Sequence, residues 1–281
     1  MAEGEMKRAP SSLILHTIQA LVRKDFVSSL QGWGLYGITF VSFLAASFLL
    51  NNYLGSIGEK KMVITTDPLN FPFLISVYSA ALYLAIVSAV SISREKDQGT
   101  LEVLFYGPVN ASSFLWAKYI TNMLLYLVLI AFYILYFAAV SGLTHLAFSW
   151  GLLKVILLSF FLVSCIISFS LFISSLTSRT RSSLIWLVGV LLVFLAIQLS
   201  YGMLLRIGEQ ALSPPLLFLR EALEIISQGT EWISPFSYLN KGMQSIDIRR
   251  VQVYAILFSV VYSFIFLFFS VWILERRGVR S

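Results

Sequence analysis

The stretch SREKDQGTLEVLFYGPVNASSFLWAK, residues Ser93–Lys118, is a charge-dense segment between two long apolar runs. The run before it covers Phe71–Ile92, and the run into which it leads covers Phe114–Val140. Each run is long enough to cross roughly 30 Å of hydrocarbon as a helix, at about 1.5 Å per residue. A simple connection between two membrane helices needs neither this length nor this many charges. We therefore expect the segment to be a mechanical contact point.

The composition of the whole chain also indicates a membrane protein. Of its 281 residues, 58% are apolar and only 12% are charged, whereas an average soluble domain has about 25% charged residues. A soluble fold of this size does not bury so much apolar surface, so much of that surface must face lipid. We predict an all-α membrane protein in which residues 1–281 form a single domain.

The chain lacks the residues that several functional classes require. One cysteine, Cys165, and two histidines make neither an internal disulfide nor a credible zinc site. The sequence GxxxxGK[ST] does not occur, so the chain cannot hold ATP in a P-loop, and we expect no cofactor bound to it. A net charge of +6 points to anionic lipid headgroups and to orientation rather than to nucleic acid.

Six apolar runs are long enough to span the bilayer as helices. They cover about Trp33–Leu50, Phe71–Ile92, Phe114–Val140, Leu152–Leu176, Leu184–Leu205 and Val251–Leu274. None of them contains Asp, Glu or His, although ion-coupled carriers usually bury such a group near the middle of the membrane. The many serines within the runs favour close helix packing and hydroxyls bonded to backbone carbonyls.

A further helix is predicted before the spans, at residues 11–31. Its apolar residues fall on one arc and its polar residues on the other, although Asp25 and Ser29 interrupt the apolar arc. This pattern predicts an amphipathic helix in the headgroup plane, with Arg23 and Lys24 at the membrane interface. A cleaved signal peptide is the alternative, but Arg23-Lys24-Asp25 stands where a small-residue cleavage site belongs.

The glycines Gly32, Gly34 and Gly37 that follow this helix match GxGxxG. A dinucleotide site needs a strand before the motif and a βαβ unit around it, and neither is predicted here. We interpret these glycines as a hinge and as positions of close helix packing.

The distribution of basic residues indicates the orientation. Six spans place both termini on one side, which carries twelve basic residues against eight on the other side. The positive-inside bias makes the richer side cytoplasmic. We therefore expect a plasma-membrane protein with both termini and Ser93–Lys118 in the cytoplasm. Lys118, just inside the third span, is expected to extend its side chain towards the membrane interface.

The long outer segment 206–250 predicts one or two short helices. Ser213-Pro214-Pro215 is typical of a helix start, Gly229 of a helix end, and Pro235 interrupts the chain again. These helices form either a lid over an outer exit or a loop packed on the bundle. Both interpretations stay open at this stage.

On the cytoplasmic side, the segment after Gly99 predicts a short helix. Thr100 is expected to be the N-cap, with Glu102 in the first turn, where the helix dipole favours an acid. Leu101, Leu104 and Phe105 share one face of this helix. Such a face suits either docking into a groove on another protein or contact with lipid.

The segment SREKDQGTLEVLFYGPVNASSFLWAKYI resembles the pattern of ABC-2 type permeases: an acid/base cluster, Gly-Thr-Leu-Glu, Pro-Val, and a lysine that opens the next span. The matching positions are Glu95, Gly99, Thr100, Leu101, Glu102, Pro108, Val109 and Lys118. Near the C-terminus, SPFSYLNKGMQSIDIRRVQVY through LERRGVR resembles the branch that includes gliding-motility and copper-site-maturation permeases. There the matching positions are Pro235, Phe236, Gly242, Asp247, Arg249, Tyr254, Glu275 and Arg276.

This resemblance implies an exporter built from two membrane halves, each seated on a separate ABC ATPase subunit that holds ATP and Mg. One copy has six spans, so an identical second copy is the expected other half. The loop between the second and third spans would supply a coupling helix, Thr100–Pro108, that contacts the ATPase. Glu95, Lys96 and Asp97 would anchor that loop by ion pairs, each contributing about 0–1 kcal/mol if exposed.

Two other functions are compatible with this layout. A permease-like subunit that transmits force without passing a substrate would use the same ATPase contact. A self-contained channel or secondary carrier would work without any ATPase, and the lack of a buried carboxylate in the runs argues against it.

Overall fold

The computed structural model describes residues 11–60, 69–106, 109–144, 150–206, 214–237 and 249–277. Within these ranges the chain is helical and contains no strand, which confirms the predicted all-α class. The helices are α1 (Ser11–Leu30), α2 (Trp33–Lys60), α3 (Asn70–Asp97), α4 (Thr100–Phe105), α5 (Ala111–Thr144), α6 (Trp150–Leu176), α7 (Thr180–Arg206), α8 (Pro214–Ile233) and α9 (Arg249–Arg277).

Six of these helices are long and apolar enough to cross a membrane: α2, α3, α5, α6, α7 and α9. They coincide with the six predicted spans, so that prediction is confirmed. Several helices run past the apolar residues: α2 continues beyond Leu50 to Lys60, and α3 continues beyond Ile92 to Asp97. A helix satisfies its own backbone hydrogen bonds both in hydrocarbon and in water. It therefore continues through polar residues beyond the hydrocarbon, where water solvates their side chains.

Helix α6 forms the centre of the bundle and packs against α3 and α9. In the most apolar 18-residue stretch of α6, 72% of the residues are buried inside the chain, whereas the share in the corresponding stretch of α7 is 11%. Buried serines allow this close approach: the Ser174 hydroxyl accepts the backbone N–H groups of Ile92 and Ser93 at 3.2 and 3.0 Å. The Ser183 hydroxyl of α7 donates to the Ala89 carbonyl at 2.6 Å. The in-span serines therefore serve close packing, as predicted.

Helix α1 packs along α5 rather than standing apart from the spans. Leu21, Phe26 and Leu30 of its predicted apolar arc contact the bundle, whereas Leu15 of the same arc is exposed. Asp25 lies on the inward side of the helix, where it contacts α5. The polar residue that interrupted the predicted apolar arc is thus part of the packing surface.

The turn between α1 and α2 contains Gly32, and the next glycine, Gly34, lies against α3. A Cβ atom at Gly34 would come within 3.0 Å of the Tyr83 hydroxyl oxygen, so a larger residue would displace that ring. This contact supports the interpretation of close packing for Gly34. At Gly37 no atom lies within 4 Å of such a Cβ, and close packing does not explain that glycine.

At the opposite end of the bundle from α4, α8 packs against α7. The predicted end at Gly229 is wrong, because α8 continues through this glycine to Ile233. A glycine inside a helix lowers helix stability by only about 1 kcal/mol relative to alanine. Neighbouring contacts offset this loss. One such contact is the hydrogen bond that the Tyr262 hydroxyl donates to the Ile233 carbonyl at 2.6 Å.

Candidate functional site

The end of α3 and the start of α4 form a tight turn centred on Gly99. This glycine has a φ of +68°, in the left-handed region that favours glycine. The backbone N–H of Gly99 donates to the Lys96 carbonyl at 3.1 Å, and the Thr100 hydroxyl donates to the Glu95 carbonyl at 3.2 Å. Gly99, not Thr100, therefore occupies the N-cap position of α4. The predicted cap is wrong because the threonine hydroxyl closes the end of α3 instead.

Replacing Gly99 with alanine is expected to lower the free energy of unfolding by about 1 kcal/mol, because a Cβ disfavours the left-handed conformation. Unfolding in mixed detergent micelles, followed by circular dichroism, measures the change. Gly229→Ala is the matched control: this glycine is helical, and no atom lies within 4 Å of an added Cβ. Alanine there is expected to leave stability unchanged or raise it. Equal losses in both variants would contradict the role of the Gly99 turn.

Helix α4 turns its larger apolar face towards the chain's own bundle. Leu101 is buried, Leu104 and Phe105 pack against the core, and the Phe105 ring meets the Phe114 ring edge-on with centroids 6.1 Å apart. The sequence pattern predicted correctly that these residues share a face. It did not decide whether a partner protein or lipid covers that face. The structure shows that α3 and α5 cover it.

The outward side of α4 carries Glu102, Val103 and Tyr106. Val103 is 71% exposed and Tyr106 is 91% exposed, and Glu102 is exposed as well. A partner protein that covers the valine and tyrosine side chains removes their apolar surface from water, which stabilises the contact. The α4 outer face consists of Glu102, Val103 and Tyr106.

The last turn of α3 is hydrogen-bonded to the end of α6, the start of α7 and the loop between them. The Lys96 ammonium donates to the Ser175 carbonyl at 2.5 Å and to the Thr177 carbonyl at 3.3 Å. The Asp97 carboxylate accepts a hydrogen bond from the Thr180 hydroxyl at 3.1 Å. Lys96 and Asp97, two of the residues predicted to anchor this loop, thus make hydrogen bonds that hold the end of α3 against α6 and α7.

A buried ion cluster lies beneath this turn and consists of Lys118, Asp25 and Glu95. The Lys118 ammonium lies 2.7 Å from an Asp25 carboxylate oxygen and also binds a Glu95 carboxylate oxygen. Its side chain is only 9% exposed, and those of Asp25 and Glu95 are 22% and 19% exposed. The ammonium also lies 5.3 Å from the centre of the Phe114 ring.

The interface position of Lys118 stays a prediction. Its charge is bound by two carboxylates from other helices, and one of them, Glu95, lies beyond the apolar run of α3. Arg23 and Lys24, in contrast, are exposed on α1, as expected for interface residues. Membrane contact of these two residues stays a prediction.

The ion cluster joins three helices that are far apart in sequence. Asp25 belongs to α1, Glu95 to the last turns of α3, and Lys118 to α5. Two carboxylates share one ammonium, and the second Glu95 oxygen is buried without a hydrogen-bond partner. The pairing was missed in the sequence, although two signals were present: an acid on the apolar arc of α1 and a lysine inside an apolar run.

The remaining predicted site residues lie at the other end of the bundle or outside the described residues. Pro235 is buried just after α8. Pro108, Gly242 and Asp247 lie outside the described residues. The structure therefore brings together the residues from Glu95 to Phe105 with Lys118, and separates them from the outer-loop position Pro235.

Six long apolar helices, five of them around the central α6, with a short amphipathic helix between the second and third, are the architecture of an integral membrane protein. Residues 19–279 match the family described as ABC-2 family transporter protein. The chain belongs to this family. No curated protein matches the sequence.

The family assigns the chain a general role: it is the membrane permease subunit of an ABC transporter. Permeases of this family generally work with an ABC ATPase partner and are generally not catalytic themselves. The chain carries the membrane-spanning part of such an assembly.

Proposed function

We propose that this protein is the permease of an ABC exporter and that the α4 outer face receives the force generated by a separate ATPase subunit. The supporting observation is the construction of α4: two apolar side chains are exposed on one side, while the other side is packed on the bundle. A short helix held in this way moves together with the spans beneath it. ATP and Mg belong to the ATPase in this proposal.

The ion cluster gives the applied force a route into the bundle. α4 follows α3 through the Gly99 turn, and Glu95 near the end of α3 is bound to Lys118 of α5. Asp25 extends the same cluster to α1, and Lys96 ties α3 to the end of α6. A displacement of α4 is therefore transmitted to several spans at once instead of bending one loop.

A second, identical permease copy and two ATPase subunits complete the proposed transporter. Helix α7 supports this assembly because it has the smallest buried share among the six candidate spans of the described chain. Its exposed side chains include Ile185, Leu192 and Leu199, which recur every seven residues and so form an extended apolar face. A second copy packed on this face would enclose a pathway between the two halves.

The orientation is tested by cysteine labelling, because the native Cys165 is fully buried and provides a silent background. Tyr106→Cys is expected to react with a membrane-impermeant maleimide only when the reagent reaches the cytoplasmic side. Glu221→Cys, on the exposed surface of α8, is expected to react from outside intact cells. The opposite pattern would reverse the topology and exclude an ATPase contact at α4.

The function is tested by purifying the permease from its native membrane, identifying the ATPase that accompanies it, and reconstituting both in liposomes. ATP-dependent movement of a substrate out of the cytoplasm-equivalent compartment supports the exporter. ATP hydrolysis without movement of any candidate substrate supports force transmission instead. Activity without an ATPase would overturn both proposals.

A further inference from the structure

Helices α5, α6 and α9 leave a cleft of about 180 Å³ where they meet. Its floor contains Met123 and Leu267, which are buried, and its rim contains Val260 and Phe264, which are partly exposed. The cleft therefore opens sideways from the bundle. Two of its lining residues, Trp116 and Tyr119, stand on either side of Lys118 in the sequence of α5, and the proposed function makes no use of the cleft.

The depth of the cleft places its opening in hydrocarbon. Val260 and Phe264 lie near the middle of α9, and the opposing residue Phe161 lies near the middle of α6. Both helices are membrane-spanning by length and composition. A side opening at this level meets lipid chains, because water is excluded from the bilayer core.

The polar atoms in the cleft satisfy one another. The Tyr119 hydroxyl lies 2.6 Å from the Ser164 hydroxyl, which lies 2.9 Å from the Ser263 hydroxyl. These hydrogen bonds link α5, α6 and α9 across the floor. A buried water needs about two to four polar partners, and these hydroxyls are already paired. The cleft thus favours an apolar occupant over water.

We propose that the cleft between α5, α6 and α9 binds an acyl chain of a membrane phospholipid. An apolar cavity of about 150 Å³ is large enough for a benzene-sized molecule, so this cleft accommodates a segment of a lipid chain. Trp116 and Phe264 meet edge-on with ring centroids 6.1 Å apart and form one wall of the cleft, against which the chain makes dispersion contacts.

A lipid chain fits this cleft better than a second copy of the protein does. The opening is concave and bounded by three helices, so the side of a neighbouring helix would span the rim and leave the floor empty. The broad exposed face of α7 is the more suitable surface for a second copy. A single flexible chain enters the cleft from the surrounding membrane without any rearrangement of the bundle.

The test uses a phosphatidylcholine that carries a diazirine in the middle of one acyl chain, added to the full-length protein in liposomes of ordinary phosphatidylcholine. Illumination is expected to label cleft residues such as Met123 and Phe264, as identified by mass spectrometry. At a low, fixed mole fraction of probe, the buried Met123 is expected to be labelled more strongly than Phe268, a lipid-accessible residue of α9 outside the cleft.

Val260→Phe fills the rim of the cleft and is expected to reduce this labelling at least fivefold. Val261→Phe is the matched control, since Val261 is the next residue on α9 and does not line the cleft. It is expected to be labelled like the native protein. Labelling of Met123 that is no stronger than that of Phe268, labelling that is equal in the two variants, or labelling that misses the cleft residues would overturn the proposal. The comparison of Met123 with Phe268 is made within the native protein and decides the question even if a variant does not fold.

Discussion

Replacing Lys118 with methionine is expected to lower the free energy of unfolding by about 3 kcal/mol. The change leaves the carboxylates of Asp25 and Glu95 side by side in the bundle without the ammonium that both of them bind. Loss of one partner from a fully buried pair costs about 3–5 kcal/mol. We expect the lower end of that range because each carboxylate keeps about a fifth of its side chain exposed. Unfolding of the purified permease in mixed detergent micelles measures the change.

Two further variants separate the ion cluster from a general effect of losing a lysine. Lys154→Met removes an exposed lysine near the start of α6 and is expected to change stability by less than about 0.5 kcal/mol. Combining Lys118→Met with Asp25→Asn and Glu95→Gln removes all three charges and is expected to restore most of the loss. If the triple variant were as unstable as Lys118→Met alone, the uncompensated carboxylates would not be the cause.

Replacing Val103 with aspartate is expected to abolish coupling between ATP hydrolysis and transport while the permease still folds. The Val103 side chain is 71% exposed, so a carboxylate there stays hydrated in the isolated permease. Covering it with an ATPase subunit would bury the charge without a partner, which disfavours the contact. Co-purification of the ATPase and ATP-driven flux in liposomes are both expected to fall at least tenfold.

Leu104→Asp is the matched comparison, because it places the same charge one residue along α4 on the inward side. Leu104 packs against the core, so this variant is expected to lose stability and membrane yield before any contact with the ATPase is tested. The sequence pattern left the face of Leu104 and Phe105 open to docking on another protein, whereas the packing of α4 moves the expected contact to Val103. A stable, uncoupled Leu104→Asp together with a normal Val103→Asp would reverse the assignment of the two faces.

The sequence by itself determined the architecture of this protein. Spans α2, α3, α5, α6, α7 and α9 were predicted because each is a long apolar run, and a chain in hydrocarbon must satisfy its backbone hydrogen bonds as a helix. The short helix after Gly99 was predicted because turn-forming, capping and apolar residues follow one another locally. These signals lie within a few residues of the structure that they specify.

Only the tertiary structure decided which residues meet and which face is covered. Asp25 and Lys118 are 93 positions apart, and their contact depends on the rotation and depth at which α1 packs on α5. The spacing of Leu101, Leu104 and Phe105 shows that they share a face, but their burial depends on where α3 and α5 lie. Helix rotation and depth result from the packing of many side chains together, so no local pattern in the sequence encodes them.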